Sequence, residues 1–234
     1  VTVLYFADTR FPIERANGIQ TMATCHALAS QGIDVHLVVR PDTAPARRDP
    51  FAFYGWDPRP NLTVTPIPAR GGPIGKRLEF LAGAVALASQ YPRAIVYTRD
   101  LGLAAWLVRL PAPVRRPLVY ESHGVAPLVS ADVPERLGEA HRAPSLTKLA
   151  RLDRRERLVW QRAGAYVTIT RILASDLESR YGARSNVFVV PDGARAPDET
   201  AARALRAPRP AAPFVAGYAG HLYPWKGVDV FVRA

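Results

Sequence analysis

Short, continuously apolar runs alternate with longer amphipathic stretches along almost the whole chain. Val35-His36-Leu37-Val38-Val39 and Ala165-Tyr166-Val167-Thr168-Ile169 read as strands buried on both faces, since neither shows the polar alternation of a half-exposed strand. On this pattern strands are expected at Val1–Ala7, Ile33–Arg40, Leu62–Ile67, Ala94–Thr98, Leu118–Glu121, Ala165–Thr170 and Val187–Val190. Helices are expected at Gly18–Gln31, Ile74–Gln90, Leu101–Leu110, Ser145–Arg162 and Ile172–Arg180. Repeated strand-then-helix units of this length predict an α/β fold: a doubly wound, mostly parallel sheet covered on both faces.

Pro191-Asp192-Gly193 closes that series with a turn signal. Ala194–Pro213 is rich in Pro, Ala and Arg and reads as an exposed linker, with one short helix expected at Glu199–Leu205. A new strand is expected over Phe214–Ala219. The organisation expected is therefore one domain over residues 1–193, a linker over 194–213, and the opening strand and helix of a second, truncated domain over 214–234.

Composition sharpens this picture in three ways. With 234 residues, 48% hydrophobic and 22% charged, the chain belongs among ordinary globular proteins. Its longest small-apolar run, Leu81 to Ala88, is far short of the ~20 residues a membrane span needs. The single cysteine, Cys25, lies on the apolar side of a helix and excludes both an internal disulfide and a Cys-rich zinc site; a reducing, cytoplasmic location is expected.

Charge changes the picture more. Thirty-one Lys+Arg against 20 Asp+Glu give +11, and nearly all the cations are arginines. Codon bias together with phosphorylated ligands is the preferred reading, and an anionic membrane surface is an alternative. Nucleic acid is ranked below these, because the arginines are scattered and no aromatic-interleaved basic motif is present. The helix over Leu146–Trp160 carries Lys148, Arg151, Arg154, Arg155 and Arg157 among leucines. It reads either as a membrane-surface helix or, more simply, as a sheet-covering helix with a solvated basic face.

Candidate chemistry sits in the turns that follow strands, where an open α/β sheet binds its ligands. Asn17-Gly18 opens the first helix: a glycine there lets a ligand approach the backbone, and a helix N-terminus attracts anions. The plainer reading is a helix start with no ligand. "GGPIGKR" at 71–77 fails the spacing of a P-loop and reads as a loop entering a helix. His26, His36, His123, His141 and His221 show no metal-ligand spacing, so no metal is expected; His26 and His36 read as structural. His123 differs, because "VYESHG" places it directly after a strand at the crevice edge. In "GYAGHLYPWKG", Lys226 stands beside a helix start, a compact point charge suited to phosphate.

Taken in order, "NGIQTMATCHALASQGIDVHLVV", "YTRD", "VYESHG", "VTITRILASDL", "VFVVPDG" and "GYAGHLYPWKGVDVFVRA" resemble the retaining nucleotide-sugar glycosyltransferases of the GT-B fold, the group-one or family-4 type. The resemblance implies two Rossmann-like domains facing a cleft, with acceptor on the first and nucleoside-diphosphate sugar mainly on the second. It implies that His123 contacts the donor sugar near the reacting carbon and that Lys226 holds the donor diphosphate. Gly18 matches the glycine loop abutting that diphosphate. His221 stands where the family often has an arginine, so half of the phosphate clamp departs from the pattern. Arg99, Glu121, Thr170 and Asp192 align with crevice-facing positions. The implied partners are a nucleotide sugar, a carbohydrate or lipid-linked acceptor and an anionic membrane touched peripherally. No cofactor, metal or nucleic acid is implied.

The family's second domain also carries a spaced pair of glutamates, which this sequence lacks. The chain is therefore expected to be an inactive fragment of a cytoplasmic enzyme of polysaccharide or glycolipid synthesis. Two readings stay open beside it. One is a standalone acceptor- or sugar-phosphate-binding module; the other is a dinucleotide oxidoreductase, for which Asp42 offers an acid but the glycine fingerprint is absent.

Overall fold

The computed structural model describes residues 1–68, 72–194, 199–200, 203, 216–218 and 227–233. Its strands are β1 (Thr2–Arg10), β2 (Asp34–Arg40), β3 (Leu62–Pro66), β4 (Ile95–Thr98), β5 (Leu118–Ser122), β6 (Ala165–Thr168) and β7 (Val187–Val189). They pair in parallel throughout, in the order β3-β2-β1-β4-β5-β6-β7. The chain starts mid-sheet, winds outward to β3, then crosses back and winds outward to β7, which is the expected doubly wound, Rossmann-like α/β fold.

Helices α1 (Ala16–Ser30) and α2 (Pro50–Tyr54) pack on one face, where Tyr5, Met22, Cys25, Leu37 and Val39 form the core. Cys25 is fully buried there, as its apolar spacing predicts. Helices α3 (Pro73–Gln90), α4 (Leu101–Leu107), α6 (Leu146–Arg162) and α7 (Arg171–Tyr181) build the other face, around Leu4, Phe6, Phe80, Ala84, Trp160 and Tyr166. Among the described residues, no helix is long and apolar enough to cross a membrane.

Two helices were not expected. The first is α2, a single turn that Asp49 caps by accepting from the Ala52 N–H at 2.7 Å. The second is α5 (Ala126–Arg136), hidden in the sequence by Pro127 and Pro134. Pro127 costs little in a first turn, where its missing N–H has no intrahelical partner, and Pro134 lies near the end. The helix expected over Leu101–Leu110 stops at Leu107. Nearer the end of the sequence, helix α8 (Val228–Arg233) forms where a helix is expected. Residues 216–218 are not in a strand, and the rest of the strand expected over 214–219 lies outside the described residues, as does most of the helix expected over 199–205.

The topology opens a crevice at one place. After β1 the chain leaves toward α1 on one face, and after β4 it leaves toward α4 on the other. The loops diverge and the strand ends between them are uncovered. One arginine pins the rim of this crevice. Arg48 clasps Asp42 through two bonds of 2.9 Å, donates to the Pro12 carbonyl at 3.1 Å and pairs with Glu14. The Arg48 guanidinium holds the Asp42 carboxyl well below the usual range. Asp42 is thus committed to the scaffold, which removes the acid that a dinucleotide site would need.

Candidate functional site

Glu121 is the centre of the polar cluster in the crevice. Along β5, Leu118 and Tyr120 face the α3–α7 core, so period-two alternation turns Val119 and Glu121 to the α1 side. On the neighbouring strand Tyr97 pairs with Val119 and also with Tyr5, against which it stacks with ring centroids 5.0 Å apart. The Tyr97 hydroxyl donates a short bond to Oε2 of Glu121. Oε1 of Glu121 engages His123 Nε2 at 2.5 Å and lies 3.5 Å from Nε of Arg99. Arg99 in turn donates to Gln20 of α1 at 3.1 Å, and His123 Nδ1 lies 3.8 Å from Asp192 Oδ2.

Burial of Glu121 works to raise its carboxyl. The hydrogen bonds from His123 and Tyr97 and the Arg99 charge outweigh that, and the carboxyl titrates below its ordinary value. Glu121 is therefore a fixed anion at neutral pH. Burial first, and the Glu121 charge second, raise the Tyr97 phenol and keep it a donor. Glu121, His123 and Asp192 offer atoms within 4.8 Å of one another, close enough to be weighed as a metal site. Ligand atoms sharing one ion stand about 3 Å or more apart, given metal bonds of ~2.1 Å. The 2.5 Å between Nε2 and Oε1 is instead that of a hydrogen bond.

Two hollows meet at this carboxylate. One, of about 420 Å³, lies at the β1/β4 divergence and is lined by Thr9, Asn17, Thr21, Arg99, Asp100, Glu121 and His123, among others. The second, of about 470 Å³, runs along the outer side of α1 past Gln20, Trp56 and Tyr97 to Glu121 and Asp192.

Of the positions singled out in the sequence, Arg99, Glu121, His123 and Asp192 come together here. Gly18 does not line either hollow. Its N–H bonds the Arg15 carbonyl at 2.9 Å, and a Cβ at this position would collide with Tyr54 and Ile13, so its missing side chain serves close packing. Asn17 and Thr21 are what α1 presents to the first hollow. Thr170 caps α7, accepting from the Leu173 N–H at 3.1 Å, and lines neither hollow. His221 and Lys226 lie outside the described residues. His26 and His36 are structural: His26 accepts from Arg59 at 3.0 Å and packs on Trp56, and His36 packs on Tyr91.

Tyr97 and Gln20 were missed. Tyr97 reads as one more apolar member of a strand. Its only sequence signal is a phenol two residues before Arg99, on a strand that ends in the crevice.

A sequence profile of the glycosyl transferase 4-like domain matches residues 18–193. No curated protein sequence matches the chain. Among solved structures, Anabaena Alr3699/HepE in complex with UDP-glucose is similar at 14% identity and a TM-score of 0.51, over 82% of this chain and 44% of that one. WaaG, a glycosyltransferase involved in lipopolysaccharide biosynthesis, is 14% identical with a TM-score of 0.49, over 81% and 44%. A ugt transferase from Siraitia grosvenorii in complex with UDP is 13% identical with a TM-score of 0.48, over 87% and 54%. The chain thus spans 44% of the length of the first two, and at 14% identity its likeness to Alr3699/HepE is a likeness of fold.

Proposed function

The chain belongs to the glycosyl transferase 4-like family, and from that premise we propose that it forms the acceptor-side half of a glycosyltransferase. The reaction is transfer of a sugar from a nucleoside-diphosphate sugar to an acceptor hydroxyl, with retention, in cytoplasmic synthesis of a polysaccharide or glycolipid. In this reading residues 1–193 carry the acceptor wall, 194–213 the connector and 214–234 the start of the donor domain. Lys226 and His221 are the residues assigned to the diphosphate, and no metal or other cofactor is used.

The observation that carries the reading is the convergence of Arg99, Glu121, His123 and Asp192 where the β1 and β4 connections part. Glu121 fixes the imidazole. With Nε2–H given to Glu121, Nδ1 accepts from a sugar hydroxyl; with both nitrogens protonated, the second proton points toward Asp192. Negative charge builds on the diphosphate as it leaves, so fixed cations lower the barrier, each contributing about 10²–10³ in rate. Arg99 is the arginine that lines the first hollow.

The test is a titration of UDP, GDP and ADP, followed by calorimetry, on the full-length protein and its His123→Ala variant, with the product anomer read by NMR. Expected are saturable binding of one nucleoside diphosphate and a retained anomer, with transfer lost in the variant. Unchanged transfer by His123→Ala overturns the assignment of His123. Saturable sugar-phosphate binding with no nucleotide requirement and no turnover overturns the transferase reading in favour of a binding module.

A further inference from the structure

The turn that carries His123 is held from beneath by a carboxylate that the chemistry above does not use. Glu156 lies on the face of α6 that enters the core and is fully buried there, beside Val159 and Trp160. Taking an ionised carboxylate out of water is costly, so a glutamate in such a place normally has its charge matched. Here a backbone N–H and a phenol meet the two oxygens instead of a cation. Oε2 accepts from the Ala126 N–H at 2.5 Å and Oε1 from the Tyr166 hydroxyl at 3.2 Å.

Ala126 opens α5 and stands three residues after His123. Ser122, buried at the end of β5, donates to the Gly124 carbonyl at 3.0 Å, so it ties down the entry of the turn as Glu156 ties down the exit. Tyr166 joins the two. Its ring packs against Tyr120 and Trp160, with centroids 5.1 and 4.8 Å apart, and both Ser122 and Glu156 are hydrogen-bonding neighbours of its hydroxyl. The imidazole over Glu121 thus stands on a loop whose two ends share one buried network.

That network has two hydrogen-bond patterns. With the carboxyl ionised, both oxygens are acceptors, and the bond from Ala126 is charge-assisted, about twice as strong as a neutral one. With the carboxyl protonated, Oε2 still accepts from Ala126, but in a neutral bond. The proton on Oε1 goes to the Tyr166 oxygen, and the phenol turns its own hydrogen to Ser122. The exit of the turn is then held more weakly.

Burial pushes Glu156 up to about 7, so both patterns are populated near neutral pH. Its titratable neighbours leave this standing. Burial raises the phenols of Tyr120 on β5, Tyr166 on β6 and Tyr181 on α7, which stay neutral. Asp153 of α6 disfavours the ionised form and Arg180 of α7 favours it, but these two pair with each other at 2.9 Å. Helix α4 carries no titratable side chain, and Asp132 and Arg136 of α5 pair with each other in solvent.

We propose that Glu156 is a positioning residue for His123, gripping the turn between β5 and α5 firmly when ionised and loosely when protonated, so that turnover rises with pH. The effect on turnover rests on the transferase reading; the coupling of Glu156 to the imidazole does not. Folding favours the protonated form, so activity and stability run in opposite directions with pH.

The test compares the full-length protein with its Glu156→Gln and Tyr166→Phe variants. Gln keeps the shape and, with one carbonyl oxygen and one NH2, fixes the hydrogen-bond pattern of the protonated carboxyl. Two readouts are followed against pH: kcat and KM for transfer, and the Cε1 resonance of His123 in histidine-labelled protein, assigned with His123→Gln. The parent should show a step near pH 7 in both. Above the step kcat should be about tenfold higher with donor KM unchanged, a displacement smaller than the 1 Å that costs about a hundredfold. Glu156→Gln should lack the step and stay on the low plateau throughout. Tyr166→Phe removes a bond that favours the carboxylate and should move the step to higher pH. The proposal is overturned by a step that persists in Glu156→Gln, by one that stays in place in Tyr166→Phe, or by a kcat loss equal at every pH that tracks lost folded protein. Absence of transfer in the parent sinks the transferase reading, and the coupling is then decided by the resonance alone.

Discussion

His123 and Glu121, two residues apart at the end of β5, hold each other through a 2.5 Å contact between Nε2 and Oε1. Strand alternation turns Glu121 to the α1 side, and the loop that follows brings the imidazole back over its carboxylate. The anion is held from its other oxygen by Tyr97, so the pair has one orientation.

Glu121→Gln removes the charge but keeps the shape. In the full-length protein it should lower transfer about 10²-fold with little change in donor affinity, on the scale of a mispositioned catalytic group. Tyr97→Phe should give a smaller loss in the same direction. Separate measurement of kcat and KM checks both.

The Glu121 carboxyl also makes a prediction about acid stability. Folding lowers its pKa from the ordinary 4.5, so the unfolded chain binds more protons across that window. Its contribution is present above pH 4.5 and is lost as pH falls through the folded value. Urea midpoints should fall faster with acid in the parent than in Glu121→Gln.

Glu156 runs the other way. It is fully buried, accepting from the Ala126 N–H at 2.5 Å and from the Tyr166 hydroxyl at 3.2 Å, and burial pushes it up to about 7. The folded state then binds more protons than the unfolded one between pH 4.5 and about 7, so stability falls as pH rises through that window. The difference is about 3 kcal/mol, at about 1.4 kcal/mol for each pH unit between the two values. Glu156→Gln should flatten this slope, as thermal melts at pH 5 and pH 8 would show.

Gly18→Ala tests whether the glycine serves packing or a ligand. A Cβ there would stand 2.8 Å from the Ile13 carbonyl oxygen and closer still to the Ile13 and Tyr54 side chains. A loss of about 1–3 kcal/mol is expected from overpacking, measured by urea unfolding, and Tyr54→Phe should recover part of it.

Thr170→Ala should cost about 1 kcal/mol, the value of a helix cap, and leave nucleotide binding untouched. A change in affinity without a change in stability would instead place Thr170 in the site.

Several features were hidden for identifiable reasons. In α6 the spacing of Glu156 with Val159 and Trp160 marks a buried face, yet a glutamate among six basic residues looks solvated. Helix α5 is masked by prolines that its ends tolerate. Gly18 illustrates a different limit: a missing side chain is visible in the sequence, but the neighbour that fills its place is not.

Element order, parallel winding and the burial of Cys25 follow from the sequence alone, because strands covered on both faces must be apolar throughout and sheet-covering helices must be amphipathic. The same logic locates His123 at a strand end, where a parallel sheet exposes its backbone, whereas Arg99, Glu121 and Asp192 are marked only by the family resemblance. Tertiary structure alone decided which of them meet. Whether Glu121 faces Tyr97, whether Arg48 consumes Asp42 and whether Gly18 opens toward the hollow all depend on register between strands distant in sequence. A one-residue slip would send every such side chain to the opposite face.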